Sequence, residues 1–278
     1  MVTMTSGPDA PPLAVLVGFG VAGAPVVLPG GKGSTWRVGD VVLKPSEGDA
    51  ESRWRARVLA ELPESPEFRL ARPVPAVGGE WLVAGWEAWR LVAGEPDPSR
   101  IDEVLQAGAA FHAAISGLPR PEFLAARDDP HSYGDRVAWE ELPIEGGPDT
   151  LALLEPLAGA RRPVRAPAQV VHGDLPGNVL FAAGLPPAII DWPPYWRPAS
   201  WALAVAVVDG LCWYGVAPAV VDRWSHLPEW GQLLVRALIY RIATREAAWG
   251  PDGQAHEPNH AYQPAVDLAL AAARRHPG

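Results

Sequence analysis

A single cysteine, Cys212, leaves no partner for an intrachain disulfide, and a reducing, cytoplasmic location is expected. Positive charge is the scarcer sign: 23 lysines and arginines face 32 acids, for a net charge of -9. No long basic run offsets this, so nucleic acid is not an expected partner. A nucleotide stays open, because a few local cations and a metal suffice for a triphosphate. The seven histidines lack H-E-x-x-H or similar zinc spacing. No internal repeat is present. Ala10–Gly31 has no charge, yet it holds Pro11, Pro12, Pro25, Pro29 and five glycines, and no basic residue precedes it. A spanning helix needs about 20 helix-compatible apolar residues, and a signal peptide needs a basic start. Neither fits, so no membrane partner is expected; the stretch reads as a short buried helix or strand followed by a second strand.

What is present is ample apolar material, 48% of the chain, enough for a sizeable core. Val26–Leu28, Ser34–Val38 and Asp40–Lys44 read as short strands. The spacing of Trp54, Val58, Leu59 and Leu62 predicts a helix over Asp49–Leu62, capped by Asp49. Trp81–Ala84 and Trp86–Val92 read as strands. Pro98–Ile115 reads as a helix with Asp97 at its N-cap, and Gly108 on its apolar face allows close packing. From Pro198 onward the pattern is mainly helical. A strand-rich front followed by a helix-rich rear predicts an α+β, two-lobed chain, divided into residues 1–92 and 93–278.

Two glycine motifs invite a nucleotide reading. Gly18-Phe19-Gly20-Val21-Ala22-Gly23 fits G-x-G-x-x-G, but Pro25 and Pro29 leave no room for the helix that must start there. Turns and close packing are the expected roles of these glycines. Gly30-Gly31-Lys32-Gly33-Ser34-Thr35 lacks the Gly-Lys-Ser/Thr order of a P-loop. Taken alone it is a hairpin turn, though such a turn, through Gly31, Gly33 and Ser34, can lay backbone N–H groups over phosphates.

The segment richest in chemistry runs from His172-Gly173-Asp174 through Asn178 to Ile190-Asp191-Trp192. Val179–Phe181 and Ala188–Ile190 are apolar around six turn-like residues, which predicts an antiparallel hairpin. Asn178 and Asp191 then sit at the same end, on strands about 5 Å apart. Asp174 lies just before. Two carboxylates and an amide converging there suit Mg²⁺, which takes oxygen ligands. A separate carboxylate can orient an attacking hydroxyl or accept its proton.

His172-Gly173-Asp174…Asn178 followed by Ile190-Asp191-Trp192 resembles the catalytic and metal loops of the aminoglycoside phosphotransferase and choline kinase group. The resemblance implies a two-lobed protein-kinase-like fold, with a small strand-rich N-lobe and a larger helical C-lobe. It implies ATP and Mg²⁺ as cofactors and a small-molecule hydroxyl as acceptor. Asp174 becomes the catalytic carboxylate, His172 a brace for its loop, and Asn178 and Asp191 the magnesium ligands. Val41-Val42-Leu43-Lys44 resembles the strand whose lysine grips the phosphates, with Glu51 placed to pair with Lys44. Trp89–Glu95 resembles the hinge, where Arg90 and Val92 would meet adenine through their backbone. Tyr195, Trp196 and Arg197, just beyond Asp191, are the expected acceptor contacts. Asp209 and Glu229 are either contacts for a cationic acceptor or surface charges.

Two features depart from the group's pattern. Asn178 follows Asp174 by four residues instead of five, so the loop is tightened around Pro176-Gly177 or the metal geometry is altered. Asp191 is followed by Trp192-Pro193-Pro194 and no second acid. The alternative reading is therefore a nucleotide-binding pseudokinase. A protein substrate is not expected, because no Phe-Gly or Ala-Pro-Glu follows Asp191.

Overall fold

The computed structural model describes residues 10–29, 33–250 and 261–275. In chain order the front half contains α1 (Leu13–Gly18), β1 (Val26–Val27), β2 (Trp36–Val38), β3 (Val41–Pro45), α2 (Asp49–Glu61), β4 (Arg69–Leu70), β5 (Trp86–Arg90) and β6 (Glu95–Pro96). Then come α3 (Ile101–Ala114), α4 (Pro130–Ala138), α5 (Pro148–Ala160), β7 (Gln169–His172), β8 (Val179–Phe181), β9 (Ala188–Ile189) and β10 (Pro194–Arg197). Four helices close the chain: α6 (Ala199–Trp213), α7 (Val220–Arg223), α8 (Trp230–Trp249) and α9 (Gln263–Arg275). The architecture is α+β, with a small sheet region and a larger helical part.

Two compact units divide the chain: Met1–Gly94 with Phe181–Ile190, and Glu95–Leu180 with Asp191–Gly278. The sequence places a single cut between residues 92 and 93. The structure instead moves 181–190 into the first unit, because β9 pairs in parallel with β4, Arg69 opposite Ala188 and Leu70 opposite Ile189.

In the first unit β1, β2, β3 and β5 form one antiparallel sheet. Leu43, Val41, Ala88 and Trp86 pack with Val15 and Phe19 of the α1 region into its core. Helix α2 starts one residue earlier than its expected cap allows. Gly48 is the N-cap, and Asp49 lies in the first turn, where its charge suits the helix N-terminus and reaches Arg53 at 3.2 Å. Trp81–Ala84 is not a strand. Val83 and Trp86 exchange backbone hydrogen bonds of 3.0 and 2.9 Å around Ala84 (φ 49°) and Gly85 (φ 76°). Two successive positive φ values make the tight turn typical of two-residue hairpins, which leaves no room for a strand.

The Gly18–Gly23 motif closes a helix instead of opening one. Phe19 caps the C-terminus of α1, and a Cβ on Gly18 would come within 2.6 Å of Val83. A pyrophosphate cannot meet a helix N-terminus there.

In the second unit α8 is the central element. Every residue from Trp230 to Thr244 is buried, so the helix is covered on all sides. Helices α4, α5, α6 and α9 pack around it. Gly231 lets α9 approach: a Cβ there would lie 2.7 Å from the Ala273 backbone. Helix α3 begins at Ile101, not at Pro98, with Arg100 as its N-cap. Asp97 accepts the Ser99 N–H at 3.2 Å and forms a separate turn ahead of the helix. Gly108 does face a close neighbour: a Cβ would meet Leu175 at 2.4 Å. Strand β10 pairs antiparallel with β7, Pro194 opposite His172 and Arg197 opposite Gln169. Among the described residues no helix is long and apolar enough to cross a membrane.

Candidate active site

The loop after β7 is built from its backbone outward. His172 is fully buried, and its N–H donates to Nε2 of His112 at 2.9 Å. Nδ1 of His172 then accepts the Asp174 N–H at 3.1 Å. The His172 imidazole therefore holds the Asp174 backbone, and the His112 imidazole holds the backbone of His172. His112 is kept neutral: burial, followed by the charge of His172, pushes its pKa down to about 3. Gly173 is required between them, because a Cβ would overlap the Tyr195 ring at 2.3 Å.

The shortened spacing from Asp174 to Asn178 closes as a turn. Asn178 N donates to Leu175 O at 3.0 Å, with Pro176 and Gly177 at the centre and Gly177 at φ 84°. Proline followed by a left-handed glycine is the signature of a type II turn. Leu175 is buried and anchors it under α3. The turn brings Asn178 back onto Asp174: Nδ2 donates to the Asp174 carbonyl at 2.7 Å and to Oδ2 at 3.2 Å. The other carboxylate oxygen, Oδ1, accepts from Nη2 of Arg241 at 3.0 Å. The Asp174 side chain stays about half exposed, at 48%.

Arg241, on α8, is the residue that sequence reasoning missed. Its Nε donates to Oδ1 of Asp209 on α6 at 2.8 Å. Burial works against its charge, yet Asp209, Tyr240 and Asp174 together push its pKa well above the ordinary arginine value. Asp209 is only 1% exposed. It is therefore neither a surface charge nor a contact for a cationic acceptor; it neutralises Arg241. Glu229 is likewise committed, accepting the N–H groups of Arg165 and Ala166 at 2.7 and 2.8 Å. No spacing rule joins position 241 to position 174.

Asp191 follows β9 with a left-handed backbone, φ 43°, and is exposed. A non-glycine residue held there costs of order 1–3 kcal/mol, a cost that tends to collect at functional sites. Trp192 turns inward behind it: Nε1 donates to Val171 O at 3.1 Å, and the ring meets Phe111 edge-on at 5.1 Å.

The oxygen donors fit a hard cation. Nδ2 of Asn178 is spent on Asp174, which leaves Oδ1 as its remaining polar atom. Asp191 supplies an exposed carboxylate. Among the described residues no three His, Cys, Asp or Glu side chains cluster as metal ligands. Few protein oxygens, completed by water and phosphate, is the usual environment of Mg²⁺.

In the first unit Lys44 and Glu87 are direct cross-strand partners on β3 and β5, with Nζ 3.3 Å from Oε1. Arg55 of α2 donates to both oxygens of the same Glu87, at 2.8 and 2.9 Å. Burial raises the pKa of Glu87, but Arg55 and Lys44 outweigh it and hold the carboxyl below its ordinary value. Glu51 lies 3.9 Å from Arg55. The lysine is thus tied to α2 through a buried strand glutamate and an arginine. A charged residue inside the apolar run Trp86-Glu87-Ala88-Trp89 was the sequence signal for Glu87.

Of the hinge residues, Arg90 donates its N–H to Arg72 O at 2.7 Å, so that amide is not available to adenine. Its guanidinium pairs with Asp40 at 2.6 Å. Val92 is half-buried. Gly33 has φ 71° and Ser34 is half-buried ahead of β2, while Gly31 lies outside the described residues. Tyr195 is buried and its hydroxyl meets that of Tyr240 at 3.0 Å. Arg197 binds Asp135 and Glu141, each at 2.7 Å. Among the three residues expected to contact an acceptor, Trp196 is half-buried and, with Tyr195 and Arg197, lines a cavity.

No protein-family model matches the chain, and no curated protein matches it. Solved structures do. A ternary complex of a thermostable mutant of aminoglycoside phosphotransferase APH(4)-Ia with ADP and hygromycin B is 16% identical, covering 95% of this chain and 97% of that one, with a TM-score of 0.55. A choline/ethanolamine kinase family protein from Mesorhizobium loti is 17% identical, covering 92% and 94%, with a TM-score of 0.51. Choline kinase LicA from Streptococcus pneumoniae is 14% identical, covering 89% and 94%, with a TM-score of 0.51. The chain shares the protein-kinase-like fold of these phosphotransferases.

Proposed function

We propose that the chain transfers the γ-phosphoryl group of ATP to a hydroxyl of a small molecule. The observation that carries this reading is the closure of the Asp174–Asn178 turn. Although one residue shorter than the group's pattern, it still fixes the Asn178 amide against Asp174, with the amide nitrogen on the carboxylate and the amide oxygen left over. Asp174 would orient the acceptor hydroxyl and take its proton. Each carboxylate oxygen has two lone-pair sites, so the bonds from Arg241 and Asn178 leave acceptor capacity on a half-exposed group. Asn178 and Asp191 would hold Mg²⁺, which when bound neutralises developing charge on the phosphates. Lys44, held in place by Glu87, would bind phosphate oxygens. The kinase-like fold of the neighbours, one of them holding ADP, supports the same reading.

A second reading, nucleotide binding without turnover, is favoured by the ion pair between Asp174 and Arg241, which occupies one oxygen of the proposed base.

Thermal stability with ATP, with Mg²⁺ and with both, for the native chain and Asp191→Ala, tests binding. A ligand selective for the folded state raises the midpoint. A joint shift that Asp191→Ala abolishes, followed by ADP release with a hydroxyl acceptor from a panel, is the expected result. A metal-dependent shift without turnover on any acceptor selects the second reading. No shift at millimolar ATP sinks both.

A further inference from the structure

Glu87 is a carboxylate only 2% exposed, and such a group needs a cation beside it at all times. Two cations meet it, and they meet it differently. Arg55 is itself buried, its guanidinium lies 5.5 Å over the Trp89 ring, and its Nη2 spans both carboxylate oxygens at 2.8 and 2.9 Å. Lys44 approaches one oxygen, with Nζ 3.3 Å from Oε1. That separation makes an ion pair, but it is longer than an ordinary N–H···O bond. The lysine side chain is also the more exposed of the two, 19% against 8%.

This difference matters once Lys44 is asked to bind phosphate. If Lys44 alone balanced Glu87, every turn of its ammonium toward a phosphate would strand a buried carboxylate. That cost would subtract from nucleotide affinity. Arg55 removes the conflict. Its two bonds stay in place while the flexible lysine stem moves, and Ser52 adds a side-chain hydrogen bond to the same carboxylate. Glu51, one turn before Arg55 on α2, lies 3.9 Å from the guanidinium and steadies it from the other side. Helix α2 thus presents a held cation to the glutamate of β5.

We propose that Arg55 is a positioning residue for nucleotide binding: it holds Glu87, so that Lys44 can exchange between that carboxylate and a phosphate oxygen. The inference rests on Lys44 as a phosphate contact and adds how the lysine is released to that role. Arg55 acts through Glu87 and Lys44 and needs no contact with the nucleotide. Without Arg55, Glu87 keeps Lys44 as its balancing cation, and the ammonium is pinned to β5.

Isothermal titration of the full chain with ATP and Mg²⁺, and with adenosine, provides the test. The native chain is compared with Arg55→Gln, Arg55→Lys, Lys44→Met and the double variant Arg55→Gln/Lys44→Met. Arg55→Gln is expected to weaken ATP about 10-fold, the worth of one charge-assisted contact, and to leave adenosine, which has no phosphate, unchanged. Arg55→Lys keeps a cation against Glu87 and should recover most of the loss. In the Lys44→Met background Arg55→Gln should cost ATP nothing further, because residues that act through one another are not additive. A loss that persists in that background, or adenosine weakened as much as ATP, makes Arg55 merely structural and overturns the proposal. ATP binding that Arg55→Gln leaves intact overturns it too, with the phosphotransfer reading still standing. No ATP binding by the native chain sinks that reading and this inference together. Where Arg55→Gln does not fold, urea unfolding of Lys44→Met decides. Its midpoint should stay near the native one, because Arg55 still balances Glu87; a collapse would show that Glu87 depends on the lysine and would end the proposal.

Discussion

Arg241 joins Asp174 to the core: Nη2 reaches the half-exposed Asp174 at 3.0 Å, from a side chain otherwise enclosed by α6 and α8. The proposed base is thus oriented from beneath by a cation whose own charge is balanced by Asp209.

Replacing Arg241 with Gln removes the cation that balances the buried Asp209 carboxylate. Breaking a buried pair in this way costs about 3–5 kcal/mol. Urea unfolding of Arg241→Gln should show a loss of that size, and Arg241→Lys a smaller one. An unchanged midpoint would mean that Asp209 is hydrated or protonated in the native state.

Glu87→Gln removes the shared partner of Lys44 and Arg55. The buried Arg55 then loses a charged partner, and a destabilisation of roughly 3 kcal/mol follows by the same reasoning. ATP affinity should fall as well, because Lys44 loses its fixed position. If stability drops while nucleotide affinity holds, Lys44 is not a phosphate contact.

Gly173→Ala places a methyl group in the Tyr195 ring and should destabilise the chain by about 1–3 kcal/mol, as overpacking does. Since Gly173 precedes Asp174, turnover should fall further than stability accounts for. Equal losses in a melting curve and in activity at low temperature would refute this placement.

The His112 imidazole is neutral in the fold, with its pKa lowered to about 3, while an unfolded histidine titrates at 6.5. The unfolded chain therefore binds a proton first as pH falls. His112 contributes stability that is fully present above pH 6.5 and is lost progressively toward pH 3, at up to about 1.4 kcal/mol per pH unit. His112→Asn should flatten the decline between pH 6.5 and 5, measured by urea midpoints. A slope identical to that of the native chain would rule out His112 as its source.

The sequence by itself determined the local chemistry. His172, Asp174, Asn178 and Asp191 lie within twenty residues, and their order on a loop and short strands follows from two short apolar runs and the turn residues between them. The tightening at Pro176-Gly177 was legible for the same reason, since proline and glycine restrict φ residue by residue. Helix α2 was visible from periodicity, whereas the start of α3 was misplaced because Asp97 can cap a turn as readily as a helix.

Only the tertiary structure decided who neutralises whom. Arg241 meets Asp174, Arg55 meets Glu87 and Asp209 leaves the list of substrate contacts through pairings across 67 and 32 residues. A charge taken out of water takes the nearest opposite charge that packing provides, and packing partners distant in sequence carry no local signature. The same holds for the cavity beside Tyr195, Trp196 and Arg197. Its lining residues come from three separate segments, which meet only once β10 and α4 are folded into one unit.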